Sequence, residues 1–150
     1  MTEYSASIDI EAPPGVVFAH LVTADGMVAW MGQHAELNPT PGGRFAVDIG
    51  GAQIRGSYLE VDPPHRVVVS WGWEGSDDFP PGSSRVDFTL TASRMGTRLD
   101  LVHSGLPDPR AQGHAAGWDR YLARLRVAAA GTDPGADSWA IGKEAGMARR

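Results

Sequence analysis

Two histidines and a closely spaced tryptophan pair are the residues of this chain best suited to chemistry. His103 ends an apolar alternation that runs through Leu99 and Leu101, and His114 lies one helical turn before Trp118. Imidazole has an ordinary pKa near 6.5, so either ring could act as a general acid or base, or as a hydrogen-bonding handle on a ligand. The plainer reading is a histidine satisfied inside a core. Trp71 and Trp73 share one parity with Val67 and Val69. Two indoles on one strand face either pack a core or wall an apolar cavity, where flat rigid surfaces suit hydrophobic or aromatic ligands.

Other chemistries are excluded. There is no cysteine, which removes a disulfide framework, a thiolate nucleophile and cysteine-ligated zinc. His34-Ala35-Glu36 resembles half of a zinc deaminase site, but its cysteine partner motif is missing. A His103 and His114 metal pair has no third ligand at recognisable spacing, so no metal and no cofactor is expected. Glycine-rich phosphate loops and the G-x-S-x-G elbow are also absent. The net charge of −5 argues against nucleic acid as a partner. No run of 18 apolar residues or secretory leader is present, so a cytoplasmic chain without a membrane span is expected.

The elements that must position these residues can be read from periodicity. The length of 150 residues and the 42% apolar fraction fit one ordinary globular domain. Residues 4–11 alternate as a first strand. Pro13 and Pro14 then open a helix with Val17, Phe18, Leu21 and Val22 on one face, and Asp25 is the expected cap of a second short helix over 26–31. From Arg44 the period is 2 for about 60 residues. Strands are expected over 44–49, 53–61, 67–74, 85–91 and 98–103. A phase slip in the second of these reads as a bulge. Keeping both apolar sets of the last two strands on one face sets Phe88 opposite Leu101 and Val86 opposite His103. Residues 75–84 read as a surface loop.

The helical period returns over 110–130, with His114, Trp118, Tyr121, Leu122, Leu125 and Ala129 in one stripe. Strands joined by short turns are antiparallel, and a single long helix is the economical cover for their apolar face. The expected architecture is therefore α+β: a six-stranded antiparallel sheet wrapped around a long C-terminal helix, with two short helices after strand 1. The domain is expected to span 1–130. Residues 131–150, with Trp139 and Ile141 as anchors, are expected to form a loosely packed or partly disordered tail.

A set of ordered sequence pieces carries a resemblance. They are residues 8–18, Trp30, Pro41-Gly42-Gly43-Arg44-Phe45, residues 56–64 and Val69-Ser70-Trp71-Gly72-Trp73-Glu74. They continue through residues 97–106, His114-Ala115-Ala116-Gly117-Trp118 with Leu122 and Leu125, and Asp133-Pro134-Gly135 before Trp139. With these pieces the chain resembles the activator of heat-shock protein 90 ATPase-like branch of the START-like (SRPBCC, helix-grip) superfamily. The resemblance implies a helix-grip fold with an elongated cavity between long helix and sheet.

Three functions follow as expectations. The first is a module holding a small apolar or aromatic ligand, lined by Phe45, Trp71, Trp73, Phe88, Leu101, His103, His114, Trp118 and Tyr121. The second is a cyclase, dehydratase or hydrolase acting in that cavity, with His103 or His114 as the acid/base. The third is a protein-interaction domain with a chaperone partner, and a homodimer is compatible with the family. Fold alone does not choose among them.

Overall fold

The computed structural model describes residues 2–137. Its elements are β1 (Thr2–Ile10), α1 (Pro14–Val22), α2 (Ala24–Val28), β2 (His34–Leu37), β3 (Arg44–Ile49), β4 (Ala52–Asp62), β5 (Arg66–Trp73), β6 (Ser84–Ser93), β7 (Gly96–Leu106) and α3 (Asp108–Ala129). The strands form one sheet in the order β1-β7-β6-β5-β4-β3-β2, antiparallel at every pairing. This is the α+β arrangement expected from the alternation, with seven strands in place of six. The additional strand is β2, four residues paired from His34↔Asp48 to Leu37↔Phe45. Its side chains are only half-buried or exposed, so it carries little apolar signal. It is held by its neighbour and by Gln33, which donates its backbone N–H to Asp48 and accepts from Gly50 through its side chain.

The two short helices differ slightly from expectation. Pro14 sits in the first turn of α1, where its missing N–H costs nothing. The cap of α2 is Thr23, not Asp25: its hydroxyl oxygen accepts from the Gly26 N–H, and the helix runs over 24–28 rather than 26–31. Asp25 lies in the first turn instead, where a carboxylate suits the helix dipole. The bulge in β4 falls between Tyr58 and Glu60, where the sequence changes phase.

The β6–β7 register is the expected one, with Phe88↔Leu101 and Val86↔His103. Leu99, Leu101 and His103 therefore all face inward and are fully buried. On α3 the buried stripe is Gly113, His114, Gly117, Trp118, Tyr121, Leu122, Leu125 and Ala129, and Trp118 reaches the sheet against Trp71 and Phe88. Gly113 and Gly117 lie buried in the same stripe as the larger rings. The helix-corner end is sealed by Trp30, which donates its indole N–H to the His20 carbonyl, and by the Tyr58 hydroxyl, which donates to the Leu21 carbonyl. The outer face carries the charges: Arg66 and Arg85 both pair with Asp87, and Arg98 pairs with Asp100. Beyond α3 the chain returns as far as Asp137, a buried carboxylate that accepts from Arg120 and from the Tyr121 hydroxyl. Trp139 and Ile141 lie outside the described residues.

Candidate functional site

The inner face of β5 brings Trp71 and Trp73 under the first half of α3. Alternation places both indoles on the same side, roughly 7 Å apart along the strand. The adjacent β7 supplies His103, and α3 supplies His114 and Trp118. These rings form one continuous cluster. Trp73 stacks on His114 at 5.1 Å between centroids, His114 meets His103 edge-on at 5.2 Å, and His103 meets Trp71 at 5.6 Å. Trp118 closes the circuit at 5.2 Å from Trp71.

His103 is fully engaged. Indole N–H can only donate, so Trp118 donates to His103 Nδ1 at 3.0 Å and fixes that nitrogen as an acceptor. The proton then resides on Nε2, which donates to Ser84 Oγ at 2.8 Å, while the serine hydroxyl donates to the Trp71 carbonyl. This chain ties β5, β6, β7 and α3 together through buried polar groups. Burial, reinforced by the neighbouring His114, holds the His103 pKa well below 6.5. The ring is neutral at physiological pH, with both nitrogens occupied.

His114 is different. Its Nδ1 faces the Arg110 carbonyl at 3.1 Å, one turn back on the helix, so Nδ1 carries the proton. Nε2 is left with an exposed lone pair in a chemical sense but is sealed from water, and it has no partner among the described residues. Burial pushes the His114 pKa down to about 4; the hydrogen bond to the Arg110 carbonyl pulls the other way, and the Arg110 charge adds to the lowering. Trp71 Nε1 and Trp73 Nε1 are likewise buried and unpartnered among the described residues. The cluster thus holds two idle donors and one idle acceptor. Each buried polar group left unsatisfied costs about 1–3 kcal/mol.

A residue outside the expected set completes the arrangement. Phe79 belongs to the loop between β5 and β6, yet it is fully buried, packed at 5.2 Å from Trp73, 5.1 Å from His114 and 6.4 Å from His103. The loop straddles the end of β5. The Trp73 backbone N–H donates to the Phe79 carbonyl, and on the other side a Cβ at Gly72 would stand 1.8 Å from the Pro80 carbonyl oxygen. Glycine in the Trp71-Gly72-Trp73 run is therefore what lets the loop lie against the strand. The loop is also fastened from the helix: Arg110 donates to Asp78 through Nε and Nη2, and its guanidinium lies 4.5 Å above the Trp73 ring. Hydrogen bonds from Arg110 and Ser76 hold the exposed Asp78 carboxyl down at about 2.

Sequence reasoning missed Phe79, Ser84 and Arg110. The available signal was Phe79 itself, the one large apolar residue in the polar stretch 75–84. Of the nine residues expected to line a cavity, Trp71, Trp73, His103, His114 and Trp118 share the cluster. Phe45 and Phe88 join it from the side, through Trp71 and Trp118 respectively. Leu101 is in the surrounding core, and Tyr121 turns its hydroxyl away to Asp137. Immediately outside Trp73 and Arg110 lies an open cleft of about 400 Å³, whose remaining walls are Gly51, Ala52, Gln53 and residues 74–78. Among the described residues no three His, Asp or Glu side chains stand close enough to hold a metal ion, and no helix is long and apolar enough to cross a membrane.

Comparison with known proteins supports the fold and the family. The family model for activator of Hsp90 ATPase homolog 1-like protein matches residues 11–130. An AHSA1-like protein from Rhizobium etli, solved by solution NMR, is 44% identical, with a TM-score of 0.74 over 91% of this chain and 87% of that one. A crystal structure from Mesorhizobium loti is 25% identical, with a TM-score of 0.74 over 83% and 94% of the two chains. An Aha1 dimer from Colwellia psychrerythraea, at 19% identity, gives a TM-score of 0.74 over 85% and 96%, a likeness of fold alone. No curated protein matches the chain.

Proposed function

The chain belongs to the activator of Hsp90 ATPase homolog 1-like family, and on that footing we propose that it binds a small apolar or aromatic molecule between the sheet and α3. The site is the cluster of Trp71, Trp73, His103, His114 and Trp118. The observation that carries this reading is the group of three buried polar atoms that have no partner among the described residues, two of them on Trp73 and His114, which stack on each other against a loop-borne phenyl ring, and the third on Trp71, joined to them through His103. A core built only for stability gains nothing from idle donors and acceptors, whereas a ligand site requires them.

Phe79 fills the space from outside the regular elements, so the loop carrying it is the door. Withdrawing it towards the cleft beside Trp73 and Arg110 opens the cluster without breaking a strand. Phe79→Ala is the corresponding test. A thermal-shift and native mass spectrometry screen of aromatic and aliphatic small molecules should find compounds that raise Tm and give one-to-one adducts, with larger shifts in the alanine variant. If no compound stabilises either form, and the rings in a Phe79→Ala crystal structure collapse into the vacated volume, the cluster is packing and the reading fails.

A further inference from the structure

The pattern of idle atoms specifies more than an apolar ligand. Nδ1 of His114 is committed to the Arg110 carbonyl, so Nε2 offers a lone pair and asks for a donor. Trp71 and Trp73 each offer an N–H and ask for an acceptor. His103 contributes neither, since Trp118 and Ser84 take both its nitrogens. The group that satisfies both demands in the smallest space is a hydroxyl, which donates once and accepts at its lone pairs. A carboxylate supplies acceptors only and would face the His114 lone pair with its own. An ammonium group supplies donors only and leaves both indoles idle.

The shape of the rest of the ligand is already displayed. Phe79 places a planar six-membered ring against Trp73 and His114, edge-on to both at interplanar angles of 87° and 80°. The position is therefore complementary to an aromatic ring, and Phe79 holds it as a ring without a polar group. Both histidines are neutral, and the charge of Arg110, whose guanidinium lies 4.5 Å from the Trp73 ring centroid, is paired with Asp78.

Resting on the binding role proposed above, we infer that the site takes a neutral, hydroxyl-bearing aromatic molecule in the place now held by Phe79. Its hydroxyl donates to His114 Nε2 and accepts from the indole N–H of Trp73, the tryptophan that packs against both His114 and Phe79. The specificity-determining residue is His114, because its lone pair is what tells a hydroxyl, which can donate, from a carboxylate, which cannot.

Three matched probes test this in the full-length protein at pH 7.5: naphthalene, 2-naphthol and 2-naphthoate, measured by isothermal titration calorimetry. The expected order is naphthol tightest, by about thirtyfold over naphthalene, the worth of two net hydrogen bonds of about 1 kcal/mol each, with naphthoate weakest. In His114→Phe the naphthol-to-naphthalene ratio should fall by about fivefold, because the donated bond is lost while the indole still donates. Should that variant not fold, the wild type labelled with nitrogen-15 in histidine supplies the same answer, because naphthol should move the His114 Nε2 resonance and naphthalene should not. Equal affinity for naphthol and naphthalene overturns the inference while leaving an apolar binding site. So does a naphthol-to-naphthalene ratio unchanged in His114→Phe, or tightest binding of naphthoate. Binding of none of the three removes the binding role itself.

Discussion

Lowering the pH from 7.5 to 4.5 should destabilise the folded protein through two buried histidines, and the size of the loss can be worked from their surroundings. In the unfolded chain a histidine takes up its proton around pH 6.5, but burial holds His114 unprotonated down to about 4. Between those values the unfolded chain binds a proton that the folded protein excludes. Stability therefore falls as pH falls through that interval and is fully restored above 6.5. One such group contributes a slope of at most about 1.4 kcal/mol per pH unit, and about 3 kcal/mol in all by pH 4. His103 acts in the same direction, for the same reason. Against a typical total of about 5–15 kcal/mol, this loss is large. Asp78, held at about 2 by hydrogen bonds from Arg110 and Ser76, and Asp108, lowered by the Thr2 hydroxyl, titrate below this interval and do not obscure it. Urea unfolding at constant ionic strength, followed by tryptophan fluorescence at half-unit steps of pH, gives the slope directly. His114→Phe removes one of the two linkages and should reduce the slope by about half, whatever it does to stability at pH 7.5. A stability that is flat from pH 6.5 to 4.5, or a slope unchanged in the variant, would refute the placement of His114 as a buried neutral group.

Two further substitutions probe how the cluster is held. Gly72→Ala sets a methyl group against the Pro80 carbonyl and should displace the loop bearing Phe79. The expected cost is about 1–3 kcal/mol in urea unfolding, with faster amide exchange at residues 76–79; unchanged exchange there would show that the loop does not rest on Gly72. Ser84→Ala leaves the buried His103 Nε2–H without an acceptor and should cost about 1–3 kcal/mol, whereas a neutral substitution would mean that the Ser84–His103 hydrogen bond does not hold the cluster.

How far the sequence disclosed this arrangement follows from the range of each interaction. The pairing of Phe88 with Leu101 and of Val86 with His103 was legible because a two-residue period and a short turn leave one register that buries both apolar sets. The α3 stripe was legible because about six turns of helix repeat the same signal. β2 was not: a four-residue edge strand exists through its partner, and His34, Ala35, Glu36 and Leu37 alone show no buried face. Thr23 and Asp25 both suit a helix cap, and only the backbone fixes which one accepts from Gly26. In the site, the five clustered rings came from alternation and the helical stripe. Phe79 reaches them from a loop whose composition argues for solvent, so its burial is decided by Gly72 and by the Arg110–Asp78 pair rather than by its neighbours in sequence. The hydrogen-bond states of the two histidines depend on partners distant in sequence for one, Trp118 and Ser84, and on the helix turn for the other. Only the second could be guessed from spacing.

The central claim is that a ligand enters the ring cluster beneath Phe79, and the tryptophan side chains report on it separately. Titration of nitrogen-15 labelled protein with 2-naphthol, read at the indole N–H cross-peaks, should shift Trp71 and Trp73 saturably. Trp30, whose N–H is bound to the His20 carbonyl at the other end of the core, should stay in place. Movement of Trp30 with Trp71 and Trp73 unmoved, or shifts confined to the groove formed by Asp9, Met95 and Arg126, would place binding elsewhere and contradict the account.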